Sequence, residues 1–96
     1  MHPLLHPFIG IALRRMSNDE ATAPRDSEII KSGLRLGHRR ELFAQVGDLM
    51  EEKADDETLM RVAAAKGDGT LLKLILDWLT ANLPAILELI LKFLPK

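Results

Sequence analysis

The sequence contains no cysteine and no tyrosine, and its aromatic share is only 4%. Without cysteine there is no disulfide framework and no thiolate metal site, and this absence fits any compartment. Aromatic and β-branched residues mark strands, whereas leucine, which dominates the apolar set here, is a good helix former. No strand or hairpin pattern is present, and no internal repeat occurs at 20–50 residues. A formal net charge of −1 gives no global pull towards nucleic acid or acidic lipid. Residues 1–16 do not read as a secretory leader. Arg14 and Arg15 follow the apolar run of residues 1–16 instead of preceding it, and no small-residue cleavage site is visible. That run is too short to span a bilayer.

What is present is a chain of 96 residues, 47% hydrophobic and 28% charged, which fits one small globular unit and not a disordered one. The expected fold is all-α, a small helical hairpin or bundle with a strongly apolar, bent or broken C-terminal helix and no β-sheet. The expected layout is a single small helical domain over 1–96. It comprises an N-terminal arm or short helix (1–16), a linker (17–26), a long, bent helix (27–53), a short helix (55–66) and an apolar helix (70–94) interrupted near 82–84.

Most large apolar residues of the second half lie in Leu71–Leu94. On a helical wheel they fill one half, with Lys73, Asp77, Thr80, Pro84, Glu88 and Lys92 opposite, which is a very wide amphipathic stripe. Lys73 and Asp77 are four apart, as are Glu88 and Lys92, so each pair can meet. Pro84 would clash with the Thr80 carbonyl in a continuous helix, and Asn82 would sit on the apolar face. One break explains both: a helix ends near Ala81, Asn82 caps the next, and Pro84 lies in its first turn.

Upstream, Pro7 can start a helix carrying Phe8, Ile9, Ile11, Ala12 and Leu13, read as an arm that docks on a core or a neighbour. Asp26 or Ser27 can cap the next helix. Ile29, Leu36, Phe43 and Met50 recur every seven residues, as in a helix–helix seam, with Leu42, Val46 and Leu49 widening it. Gly33, Gly37 and Gly47 either admit a close neighbour or mark a bend near Gly37. Asp55 or Asp56 caps the short helix, which Lys66 and Gly67 end. Charge is segregated: Arg35, His38, Arg39 and Arg40 form a basic run, and Asp48, Glu51, Glu52, Asp55, Asp56 and Glu57 an acidic one. Such a dipolar layout suits self-contact between copies, although solvated helix faces explain it as well.

The motifs of chemistry are missing. His2 and His6 share a helical spacing, but flanking prolines and the lack of a nearby acid argue against a metal site. The acidic run lacks the ligand order and turn glycine of an EF-hand. Gly67-Asp68-Gly69 lacks the lysine and spacing of a phosphate loop. Ser17, Ser27 and Ser32 belong to no recognisable triad. The helix after Gly67 reads LLKLILDWL and cannot read base edges. No catalytic, cofactor or metal residues are therefore assigned.

The 24 residues of Leu71–Leu94 could span about 36 Å as a helix, but an acid such as Asp77 or Glu88 in mid-span costs about 2.5–3.5 kcal/mol. Burial against protein is the preferred reading. The expected function is a non-enzymatic helical assembly subunit, oligomerising through Leu72, Leu76, Leu79, Leu83, Ile86, Leu87, Ile90 and Leu94. Its partner is a second copy or another helical protein, with no small-molecule substrate. On size alone it also suits a viral or mobile-element accessory protein, and the expected location is the cytoplasm or a larger assembly. The alternative is a membrane-associated or membrane-active protein using 71–94. A weaker one is a regulator binding an anionic ligand or nucleic acid through Lys31, Arg35, Arg39 and Arg40.

Overall fold

Six helices and no β-sheet make up residues 5–95, which the structure, a computed structural model, describes. They are α1 (His6–Asn18), α2 (Pro24–Leu34), α3 (Arg39–Lys53), α4 (Asp56–Ala64), α5 (Asp68–Ala81) and α6 (Leu83–Phe93).

Helix α1 starts with Pro7 in its first turn, where a missing N–H costs nothing. Ile9, Ala12, Leu13 and Met16 follow the three- and four-residue spacing of one helix face, and all four are buried. The expected arm is instead a central element, because α1 packs against α2, α3 and α5. Small residues allow this. A Cβ on Gly10 would lie 2.8 Å from the Phe43 ring, so only glycine lets α3 come this close.

The linker is shorter than expected. Helix α2 begins at Pro24, with Ala23 at the N-cap in place of Asp26 or Ser27. Proline supplies a preset φ at the first helical position, and this outweighs the capping side chains downstream. The buried Ser27 hydroxyl instead donates to the Ser17 carbonyl, tying α2 to the end of α1. In the connecting turn, the Ala21 N–H donates to Asp19 Oδ1 at 2.9 Å and the Thr22 hydroxyl to the Met16 carbonyl at 2.7 Å.

The long helix expected over 27–53 is two helices. Helix α2 stops at Leu34; the Arg35 N–H is shared between the carbonyls of Lys31 and Ser32, each at 3.2 Å, and α3 resumes at Arg39. Gly37 lies in this break with open space around it, whereas Gly33 is buried where a Cβ would meet Ile90 Cγ2 at 2.7 Å. The two glycines thus divide the two roles expected of them: Gly37 in the break, Gly33 at a close approach. The break also ends the sevenfold seam. The fully buried residues are Ile30 on α2 and Leu42 and Val46 on α3, joined by the nearly sealed Met50. Ile29 and Phe43 flank that core and are half-buried.

Helix α4 is capped by Asp55, whose Oδ1 accepts from the Thr58 N–H at 2.8 Å. It buries only Val62, and its main neighbour is α5. Gly67, at φ +85°, makes the turn into α5, a conformation that costs glycine nothing.

Helices α5 and α6 meet at 85°. The break lies at Asn82, which takes the expected N-cap position of α6, but its side chain does not cap that helix. Its Nδ2 donates to the Trp78 carbonyl at 2.9 Å, closing the end of α5, and α6 has no side-chain cap. Pro84 sits in the first turn of α6 as expected. Across this corner the pair wraps the rest of the fold: α5 lies on α1 and α4, and α6 lies on α2 and α3. Ile75, Leu79, Ile86 and Ile90 complete the core, each without exposed surface.

Candidate functional site: the corner between the last two helices

The apolar arc of α5 and α6 is wider than the surface the rest of the chain offers it. On α6, Ile86 and Ile90 face inwards. Leu83, Leu87 and Leu91, each four apart, form a second stripe beside them, and Leu94 follows just past the helix end. Leu83, Leu87 and Leu94 are half-buried and Leu91 is 48% exposed. On α5, Ile75 and Leu79 face inwards, with Leu72 and Leu76 half-buried at the flank.

The eight residues expected at an oligomer interface therefore separate into two groups. Leu79, Ile86 and Ile90 are sealed in the chain's own core and offer no surface in this fold. Leu72, Leu76, Leu83, Leu87 and Leu94 keep some. A wheel shows which residues avoid water but not which part of the arc the chain's own helices cover. Leu91, the exposed leucine of α6, stands outside those eight. Its signal was the spacing of Leu83, Leu87 and Leu91 within one stripe.

At the corner itself lies a groove of about 660 Å³ between the α1–α2 turn and the α5–α6 junction. Met16, Leu76 and Leu83 contribute its apolar part. Asp19, Asp26 and Asp77 line it too, and Arg15 is the one cation among its lining residues. Two hydroxyls there are already committed: Thr22 to the Met16 carbonyl, and Thr80 to the Leu76 carbonyl at 2.8 Å. The carboxylates thus dominate what the groove can offer a visitor.

The ion pairs expected along this segment do not form. Among the described residues the ion pairs include Glu28–Lys31, His38–Glu41 and Glu57–Arg61, but neither Lys73–Asp77 nor Glu88–Lys92. An exposed pair gains so little over the entropy of holding two side chains that helical spacing alone does not enforce it. Asp77 and Lys92 are consequently left without ion-pair partners among the described residues.

The anion-binding set is only partly brought together. Arg35, Arg39 and Arg40 are exposed around the α2–α3 break, while Lys31 lies one turn back with its Nζ 3.9 Å from Glu28. His38, also exposed there, is 3.8 Å from Glu41. Among the described residues, no group of three or more His, Cys, Asp or Glu side chains is arranged to hold a metal. His2, half of the histidine pair weighed above, lies outside the described residues. Asp55 is held below the usual carboxylate range, chiefly by its hydrogen bonds from Thr58 and further by the Arg61 charge.

Comparison with protein-family models, with curated proteins and with solved structures finds no match to this chain.

Proposed function

We propose that this protein is a non-enzymatic helical assembly module that self-associates through the outer side of the bent α5–α6 pair. One observation carries this reading. The pair fills the core with Ile75, Leu79, Ile86 and Ile90, and still carries Leu72, Leu76, Leu83, Leu87 and Leu91 at partial exposure along its flank. Full burial of each large apolar side chain contributes about 1.5–3 kcal/mol. Several flank leucines buried together are needed to offset the ~4–15 kcal/mol lost in association. A contact of this kind favours a second copy or a helical partner of similar surface.

The test is the native mass in solution, with and without detergent, for the wild type and for a double variant, Leu87→Ser with Leu91→Ser. The expected result is a wild-type mass at a multiple of the 10.7 kDa chain, unchanged by mild detergent, and a folded monomer for the double variant. A wild type that stays a compact monomer at every concentration sinks the reading.

A second reading has its own observation. No single helix is long and apolar enough to cross a membrane, but the α5–α6 pair meets the length and composition of a broken span. Against it, inserting the pair would withdraw Ile75, Leu79, Ile86 and Ile90 from the core they complete. Liposome flotation separates the readings, since retention on vesicles that depends on Leu79 and Leu87 favours the membrane.

A further inference from the structure

We propose that the groove at the α5–α6 corner receives the last turn of α6 from a second copy of this chain. This rests on the assembly reading and specifies which surfaces meet.

Groove chemistry selects the visitor. With Asp19, Asp26 and Asp77 against Arg15, it favours a segment that brings apolar side chains together with positive charge. The chain's exposed large apolar residues are Ile11, Met60 and Leu91. Met60 stands on α4 behind Asp55, Asp56 and Glu57, so its approach sets acid against acid. Ile11 on α1 has basic neighbours as well, but one of them, Arg15, already lines the chain's own groove. Leu91 is different. It is followed by the exposed Lys92, which has no ion-pair partner among the described residues, and by the half-buried Leu94. Lys92 is the one cation of α6, with the exposed Glu88 one turn earlier. The leucines and Lys92 thus meet an apolar wall and three carboxylates.

The same molecule cannot make the contact with itself. Leu83 in the groove and Leu91 at the other end belong to one unbroken helix and are separated by about 12 Å along its axis. The α6 end must therefore come from another copy. Two copies can make this contact reciprocally about a two-fold axis, or each can pass it on to a further copy in a ring or an open chain. The groove, at about 660 Å³, falls within the roughly 300–1,000 Å³ of typical ligand sites, room enough for a few side chains.

The absence of cysteine makes a clean test available. Leu91→Cys and Ala81→Cys each place one thiol at a partly exposed position, the second among the groove-lining residues. The two proteins are mixed in equal amounts under mild oxidation. The expected result is about tenfold more cross-linked dimer in the mixture than either protein gives alone, because docking raises the local thiol concentration. A charge exchange supplies a second readout on exposed residues: Asp77→Lys or Lys92→Asp alone weakens association about three- to tenfold, and the two changes in one chain restore it. If the wild type is oligomeric but Leu91→Cys cross-links chiefly to itself, the α6 ends meet each other and not the groove. The proposal then fails while the assembly reading stands. An oligomeric wild type with no 81–91 product, or with no response to the single charge changes, overturns the proposal in the same way. A monomeric wild type overturns both.

Discussion

Helix α1 and helix α6 are close in length, at 13 and 11 residues, and both are amphipathic. They use their apolar faces differently. Helix α1 is enclosed by α2, α3 and α5, and its stripe of Ile9, Ala12, Leu13 and Met16 is nearly sealed. Helix α6 lies on α2 and α3 and turns only Ile86 and Ile90 fully inwards, leaving Leu87 half-buried and Leu91 half in water. The difference follows from supply. The narrow stripe on α1 matches the neighbours available and leaves, of the large apolar residues, only Ile11 beside it exposed, while the arc on α6 exceeds them. The less hydrophobic of the two helices is therefore the keystone of the fold, and the more hydrophobic one keeps part of its apolar surface in water.

This comparison breaks most readily at α1. Leu13→Ala removes a fully buried side chain and should cost about 2–5 kcal/mol. That is a large share of the ~5–14 kcal/mol expected for a domain of this size. Urea unfolding measures it, and a loss below about 1 kcal/mol would mean that α1 is not central. Next comes the closest approach between α2 and α6. Gly33→Ala sets a methyl against Ile90, whose β-branched side chain has little freedom to move on a helix. Overpacking of about 1–3 kcal/mol exceeds the ~0.5–1 kcal/mol gained by replacing a helical glycine, so the variant should be less stable. Gly37→Ala, in open space, should be near neutral by the same unfolding assay.

A smaller effect concerns α4, whose attachment to the bundle is light. The folded-state pKa of Asp55 is lowered, so its contribution is present above the unfolded carboxylate pKa and fades as the pH falls through the folded value. On acidification α4 should loosen before α1. Amide hydrogen exchange at Thr58 should quicken relative to Leu13, and Asp55→Ala should abolish the acid-dependent part of that change. Equal protection of the two helices at all pH values would contradict the ranking.

Much of the fold was legible in the sequence, because helix class, proline positions and the Asn82–Pro84 interruption are local signals. The centrality of α1 was not, since it depends on Phe43 fitting over Gly10 from a distant helix. The sevenfold spacing of Ile29, Leu36, Phe43 and Met50 misled because it ran through a break that the local pattern only hinted at with Gly37. Asn82 carried a correct boundary but the wrong partner, since either end of the break offers unpaired backbone groups and it took the carbonyl of Trp78. Among the candidate interface residues, periodicity identified the arc, and only tertiary packing separated Leu79, Ile86 and Ile90 from Leu83 and Leu87.

The smallest expected change in stability is also the most telling for function. Leu91→Ser alters a side chain at the edge of α6 and should shift unfolding of the monomer by no more than about 0.5 kcal/mol. Sedimentation equilibrium of this variant beside the wild type tests most directly that α6 divides its apolar arc between the chain's own core and a neighbour. The account predicts a wild type heavier than 10.7 kDa and a Leu91→Ser chain that is equally stable as a monomer and markedly more dissociated. A wild type of 10.7 kDa at every concentration, or a variant with unchanged mass, would contradict it.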